Sequence, residues 1–420
     1  MRKLGFYCAD GVEGMTLGDV GAKHTNAYSS ALLRVLQELA AGGSVGIKDG
    51  RKRHVLSLLK RRLGPVNSCG LCYVNLVLRL FKESDLLTAT PDRLAVCVSE
   101  LKAFDERVRT RFPATKTGKK RRVSFEMASY LAAKEVVKKL FDYDRFCGGQ
   151  GMLWNRDRSL GSYIQWTSLK DWSAWDMIHA LNVDACAYCN ADAVFALRID
   201  QMKAGTKNTF GVNELHKRSP LDHFYGYSEY PCLGLSLYNL VPSCTRCNTN
   251  MKGARKQDVG RHIHPYKESF DDGIRFYALF KNYASLTFPK EDSDVVLVLR
   301  RPNKCGNVNL IKKAMASATF FHLEEVYNQT YRRDVMDVVR RIIAFPASYL
   351  ADMRNRYPGI DELVFNRMLI DCSLCRELIN KERLSKMACD LTDQLSVMLD
   401  EGWLAFKVQG CPPVDKGEKP

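Results

Sequence analysis

Residues 220–253 read PLDHFYGYSEYPCLGLSLYNLVPSCTRCNTNMKG, and a short way upstream the chain reads DACAYCN. Two Cys-x-x-Cys pairs stand in these stretches, Cys186 with Cys189 and Cys244 with Cys247. Two thiolates so spaced on a turn can chelate one ion, and two such pairs supply the four soft ligands of a tetrahedral zinc site. With every coordination position filled by sulfur, that zinc is expected to hold the fold rather than do chemistry. Around the second pair lie groups of a different kind: Asp222, His223, Asn239 and Asn248. A carboxylate and an amide oxygen suit a hard divalent cation such as Mg²⁺ or Mn²⁺, which keeps several positions for water and phosphate. A neutral imidazole is a suitable general base near neutral pH. Hydrolysis of a phosphodiester needs an activated water, relief of charge on the transition state and stabilisation of the leaving oxygen, and this set offers all three.

The ordered series Cys186-x-x-Cys189, Asp222-His223, Asn239-Leu240, Cys244-x-x-Cys247-Asn248 and Lys252 resembles the HNH endonucleases, the ββα-metal nuclease superfamily, in their four-cysteine zinc form. The match spans about 184–256, under a fifth of the chain. The resemblance implies a small ββα-metal module in which His223 is the base and Asp222 and Asn248 hold the catalytic cation. It also implies that Asn239 keeps His223 in its working tautomer, by its side chain or by bracing the loop. The stretch from Cys189 to Asp222 is longer than in compact members of the family. If Leu221–His223 is a strand, Asp222 and His223 point to opposite sides of it, so a local distortion or strand end is expected there.

After Asn248, the run TNMKGARKQ is expected to open the α element, with Lys252 on the same face as Asn248. Arg246, Lys252, Arg255 and Lys256 are the expected contacts to flanking phosphates, although any one of them alone is ordinarily a solvated charge. Two rival readings are open to test. A zinc-containing nucleic-acid-binding protein without catalysis would need neither His223 nor Asn248. A zinc deaminase needs His-x-Glu upstream of Pro-Cys-x-x-Cys; here His322 and Glu324 follow the cysteine pairs and Ser243 separates Pro242 from Cys244, so that reading fails. Cys69/Cys72 and Cys372/Cys375 read as core packing, the second pair within a helix, and His262 and His264 as packing or phosphate contacts.

The elements that must position this set fall into an α+β chain in three parts. Residues 1–183 read as a mainly helical region for nucleic-acid or partner binding, 184–270 as the zinc-bound nuclease domain, and 271–420 as mixed strands followed by helices. Helices are expected over AYSSALLRVLQELAAGG, RKRHVLSLLKRRLGP and SFEMASYLAAKEVVKKLF, and strands over IRFYALF, SLTF and DVVLVLR. RVRTRFPATKTGKKRR reads as an exposed basic loop. Lys and Arg number 63 against 47 Asp and Glu, a formal charge of +16, which favours a polyanion and makes nucleic acid, with DNA expected, the partner. Fifteen cysteines in a chain of 420 residues, with no secretory segment at the start and no membrane-length apolar run, point to a reducing cytoplasm. SEYPCLGLSLYNLVPSC, HIHPYKESFDDGIRFYALF, FHLEEVYNQ and LSKMACDL also resemble bacterial HNH proteins with a helical tail, several of which serve in anti-phage defence beside an ATPase. Such a partner protein is the implied one.

Overall fold

The computed structural model describes residues 3–4, 17–42, 45–49, 52–54, 68–113, 115–117, 120–147, 150–157, 161–168, 172–198, 216–302, 307–345 and 347–398. It is α+β, with small, mostly antiparallel sheets among helices. Two compact units divide the chain. One comprises Gly5–Leu181 and Leu221–Val241; the other comprises Met1–Leu4, Asn182–Pro220 and Pro242–Pro420. They are called here the N-terminal and C-terminal units.

In the N-terminal unit the long helix Leu17–Ala40 buries Val20, Leu32, Val35, Leu36 and Leu39 along one face. Helices Cys69–Glu83 and Phe125–Leu140 pack on each other, and each begins at a serine whose hydroxyl accepts from the backbone amide three residues on: Ser68 from Leu71, and Ser124 from Met127. Thr90 caps Pro91–Arg111 in the same way, with proline in the first turn, where its missing N–H costs nothing. That helix runs through Arg111, so the basic stretch is no loop: it is a helix end followed by the antiparallel ribbon Thr115–Thr117/Lys120–Arg122. The unit also holds a four-stranded sheet that helical periodicity did not foretell, ordered Lys52–His54, Val45–Asp49, Gly161–Ser168, Gln150–Asp157, with one parallel pairing. Lys52–His54 is therefore strand where a helix was expected, and the rest of that expected helix lies outside the described residues.

The C-terminal unit contains the hairpin Arg275–Phe280/Val295–Arg300, with Phe276 paired to Leu299 and Ala278 to Leu297 facing inward. Two-stranded sheets are marginal alone and leave both edges open. Here side chains close them: Gln394 exchanges two hydrogen bonds with the backbone of Ala278, at 2.7 and 2.9 Å, and Asn328 does the same with Leu297, at 2.8 and 2.7 Å. SLTF forms the short helix Tyr283–Thr287 instead of a strand. Val308–Phe320, Arg332–Ala344 and Ser385–Met398 are the unit's main helices. Cys372 and Cys375 sit in the bend that follows Glu362–Ile370, begun by Asp371 at φ 64°, rather than inside a helix. Among the described residues no helix is long and apolar enough to cross a membrane.

His24 ties the long helix to the loop around residues 231–237. It is fully buried, its Nε2 lies 2.5 Å from the Leu235 carbonyl, and its Nδ1 accepts from the Trp172 indole at 2.9 Å. Burial lowers its pKa to about 4 from 6.5. The folded ring thus stays neutral while the unfolded one takes a proton, so this unit loses stability as pH falls from about 6.5 to about 4, and gains it back as pH rises. The full effect is on the order of 3 kcal/mol. Denaturant titrations at pH 7.5 and 4.5 check it: His24→Gln should remove most of the pH-dependent loss seen in the natural protein.

Candidate functional site

The four sulfurs of Cys186, Cys189, Cys244 and Cys247 lie within 4.8 Å of one another, all buried. A tetrahedral Zn–S₄ centre with bonds of 2.3 Å has edges of about 3.8 Å, and the Cys189–Cys244 sulfurs are 3.9 Å apart. Backbone amides point at the sulfurs: Cys244 N–H donates to Cys186 Sγ at 3.3 Å and Cys247 N–H to Cys244 Sγ at 3.4 Å. Thiol hydrogen bonds from Cys186 and its neighbours hold Cys189 well below the ordinary thiol range and lower Cys244 as well. Burial pushes Cys186 up. Such a cluster shares protons unevenly among its sulfurs, and an ion would displace those that remain. Donor type, number, spacing and burial all fit a zinc-type metal.

The first cysteine pair is folded by a residue that motif reading passed over. Asn190 follows Cys189 in the left-handed region, at φ 56°, where asparagine is among the few non-glycine residues at ease. Its N–H closes the turn onto the Cys186 carbonyl at 2.9 Å. Its fully buried side chain donates to Ile379 O at 2.6 Å and Glu382 O at 3.0 Å, and accepts from Lys386 N at 3.0 Å. Tyr327 adds a bond to the Cys189 carbonyl at 2.9 Å. An asparagine after a Cys-x-x-Cys was the available signal, but its partners lie some 190 residues on.

The second pair opens a single wide helical turn, Arg246–Lys252, in which Gly253 N–H reaches back five residues to Asn248 O at 3.0 Å. Gly253, at φ 49°, ends it, so the helix expected after Asn248 stops at Lys252, and Arg255 and Lys256 lie beyond it. Asn248 is half-buried on this turn. Arg246 faces inward: it contacts Asp192 at 3.3 Å and the Tyr331 hydroxyl at 3.0 Å, and lies over the Tyr331 ring. Lys252 is 4% exposed. Arg255 lies 4.3 Å from the Phe320 ring centroid and donates to the Phe320 and Met251 carbonyls; Arg255 and Lys256 are both exposed. His262 accepts from Asp258 N at 3.1 Å and packs edge-on against Phe320, and His264 is fully buried, so both are packing residues.

Asp222, His223 and Asn239 belong to the N-terminal unit. Leu221–His223 pairs with Leu240–Pro242, and the ladder is carried on by Phe224 N–H to Asn239 O at 2.9 Å. A regular strand sends neighbouring side chains to opposite faces. Asp222 is 4% exposed and His223 is half-buried. The strand ends at His223, as expected for the Asp-His pair, and the chain bends over Phe224 and Tyr225.

The His223 ring is held on several sides. Tyr143 meets it edge-on with centroids 4.6 Å apart, and Tyr227 stacks on it at 5.2 Å and 14°. Its Nε2 lies 3.0 Å from the Gly234 carbonyl. A carbonyl can only accept, so Nε2 carries the proton and Nδ1 is the basic nitrogen of the neutral ring. Gly234 lets the Tyr227 wall pack closely, because a Cβ there would meet Tyr227 at 2.5 Å and the Phe141 carbonyl at 2.6 Å. Asn239, fully buried, accepts from Tyr225 N at 2.7 Å and donates to Tyr225 O at 3.1 Å and Leu233 O at 3.0 Å. It thereby braces the loop that carries the Gly234 carbonyl. Tyr143 donates to Leu221 O at 2.9 Å and Tyr227 to Lys138 O at 2.5 Å, which fixes both aromatic walls.

No family model, curated protein or solved structure matches this chain.

Two outcomes are expected for the sulfur centre. The purified protein should carry about one zinc per chain by elemental analysis, and Cys244→Ser or prolonged chelation should remove it and unfold the C-terminal unit. Asn190→Ala should leave all four sulfurs in place yet cost about 3 kcal/mol in denaturant unfolding, by stranding buried backbone groups and forcing alanine into the left-handed region.

Proposed function

We propose that the chain is a metal-dependent endonuclease of the HNH type, cutting phosphodiester bonds of nucleic acid, with DNA as substrate. The observation that carries the proposal is the state of His223: its Nε2 proton is committed to the Gly234 carbonyl and its ring is walled by two tyrosines, so a basic Nδ1 is presented in a fixed direction. The order of Asp222, His223, Asn239 and Asn248 among the cysteine pairs supports the same reading.

In this mechanism His223 Nδ1 takes a proton from a water molecule as the water oxygen bonds to phosphorus, and the bond from phosphorus to the leaving oxygen breaks. Proton uptake at Nδ1 leaves an imidazolium whose Nε2–H still donates to Gly234, so the ring need not turn between the two states. Asn239 is a positioning residue, acting through the loop it braces. Asp222 and Asn248 are the proposed oxygen ligands of a Mg²⁺ or Mn²⁺ ion. Such an ion, when bound, supplies charge relief at the non-bridging oxygens and at the leaving oxygen. The four-sulfur centre would carry zinc in a structural role, holding the turn on which Asn248 sits. A role in anti-phage defence beside an ATPase is proposed from the resemblance of the tail segments.

The test is incubation of the full chain with plasmid and linear DNA in Mg²⁺ or Mn²⁺. His223→Ala should cut at least about 100-fold more slowly while keeping its zinc and its melting temperature. Asn239→Ala should lower the turnover rate with little change in the half-saturating DNA concentration. Equal cutting by His223→Ala would overturn the proposal, and an intact protein that binds DNA without cutting it would favour a non-catalytic zinc protein.

A further inference from the structure

Two lysines beside the His223 loop carry charges that the fold leaves unused. Lys134 and Lys138 stand four positions apart on helix Phe125–Leu140 and so share one face, with about one turn, ~6 Å, between them. Both side chains are half-buried. Each ammonium lies over a tyrosine ring: Lys134 Nζ is 5.6 Å from the Tyr130 centroid, and Lys138 Nζ is 5.5 Å from that of Tyr227. Tyr227 is the ring that stacks on His223, with centroids 5.2 Å apart, and its hydroxyl donates to the Lys138 carbonyl. The separations of 5.5 and 5.2 Å together bound the distance from the Lys138 ammonium to the centre of the imidazole at about 11 Å. Other cations of this unit find carboxylates: Arg79 pairs with Glu83 and Glu100, and Arg109 with Asp105. Among the described residues neither lysine ammonium forms a hydrogen bond or an ion pair, and Glu135, between them on the helix, is exposed and paired with neither. Burial lowers the pKa of Lys134 in spite of the pull of Asp105, as expected for a charge short of counter-charge. The helix dipole favours cations in the last turn, which accounts for Lys139 and helps Lys138, but the effect has faded at Lys134. A ring face attracts an ammonium without consuming its N–H donors, so both lysines keep them for an acceptor.

We infer that Lys134 and Lys138 form a phosphate-binding track that seats the DNA strand beside His223. The phosphates of one B-form strand rise about 3.4 Å per step. One helical turn therefore spaces the two ammoniums for phosphates one or two steps apart. An ammonium within about 11 Å of the base reaches the scissile phosphate or one within about three steps of it. Lysine suits this task, since a point charge on a flexible stem holds phosphate without reading sequence. The Tyr227 ring links the two functions, because it walls the imidazole and lies under the Lys138 ammonium. The inference rests on the reading of His223 as the base of a nuclease, and it names the residues that hold the substrate there.

Binding of the full chain to a short labelled DNA duplex, measured by fluorescence anisotropy across a KCl series without added divalent cation, tests it apart from cutting. The variant K134Q/K138Q should bind roughly tenfold more weakly near physiological salt, with the slope of log K against log salt shallower by about 2. The charge-keeping variant K134R/K138R should retain the natural slope. In Mg²⁺ the Gln variant should need roughly tenfold more DNA for half-saturation, with its turnover rate close to the natural one. Lysines that only braced the tyrosine walls would give the opposite, a lower turnover rate at an unchanged slope, and that result overturns the inference. If K134Q/K138Q melts early, K138Q alone should keep the natural melting temperature and make the slope shallower by about 1; an unchanged slope in folded K138Q overturns the inference as well. A labelled mononucleotide should show no lysine-dependent binding. Lysine-dependent binding of it as tight as that of the duplex would replace the track with a nucleotide site. Should the natural protein cut DNA while the slope ignores both lysines, the track fails and the nuclease stands. Should the slope depend on them in a protein that does not cut, or that cuts equally well as His223→Ala, the reading of His223 fails and the lysines remain a DNA-binding track.

Discussion

The convergence of four cysteine sulfurs is the constraint on which the C-terminal unit depends. Cys189 and Cys244 are 55 positions apart in sequence and 3.9 Å apart in space, and within that interval 199–215 lie outside the described residues. Closing so long a loop carries an entropy cost that grows only slowly with its length, so a single ion bridging its ends can offset it almost regardless of what the loop contains. Both knuckles are then short turns with backbone amides directed at sulfur, and neither needs a large apolar face of its own.

From the first knuckle the order spreads through hydrogen bonds to an ionic core. Asn190 receives the amide of Lys386, whose own ammonium is fully buried and contacts Asp271 at 2.9 Å and Asp390 at 2.7 Å. Arg376, 2% exposed, reaches the same two carboxylates at 2.8 and 2.9 Å, and Arg275 and Asp393 join the cluster. The ammonium and guanidinium groups hold the Asp271 carboxyl well below its ordinary range in spite of its burial. Matched charges that satisfy each other this closely are costly to break singly, on the order of 3–5 kcal/mol, because the partner is left buried and alone. Asp390 also accepts from Phe276 N at 2.9 Å, so the network ends on the edge of the hairpin. Cysteine knuckle, buried charges and sheet edge form one connected chain of contacts.

What could be read from the amino-acid order follows from the range of the interactions. The helix start at Ser124 was legible because a cap acts over three residues, and the cysteine pairs because a chelating turn is equally local. Strands of three residues, such as Lys52–His54 and His216–Arg218, are too short to show a period against their neighbours. The walls of His223 illustrate the other limit. Tyr227 stands four positions away in an aromatic-rich run and could have been suspected; Tyr143 is 80 positions upstream and nothing near it marks it. Arg246 and Lys252, expected to contact phosphates, are engaged inside the fold, since neither charge nor spacing tells which way a cation faces.

The histidine depends on its supports in a specific order. Its tautomer is set by one carbonyl, at Gly234. Position 234 lacks a Cβ, which leaves room for the Tyr227 ring and the Phe141 carbonyl, and its carbonyl stays in place because Asn239 holds residue 233 on one side while His24 holds residue 235 on the other. Both act on the loop that carries the acceptor, and losing either would loosen the carbonyl that decides which nitrogen holds the proton. A neutral, buried His24 is required for the same loop that orients a half-buried His223, and burial keeps the first ring neutral at pH values where an exposed imidazole would be mostly protonated. The two histidines thus share one loop but not one degree of burial: His24 is closed off from water, and His223 keeps a solvent-facing part.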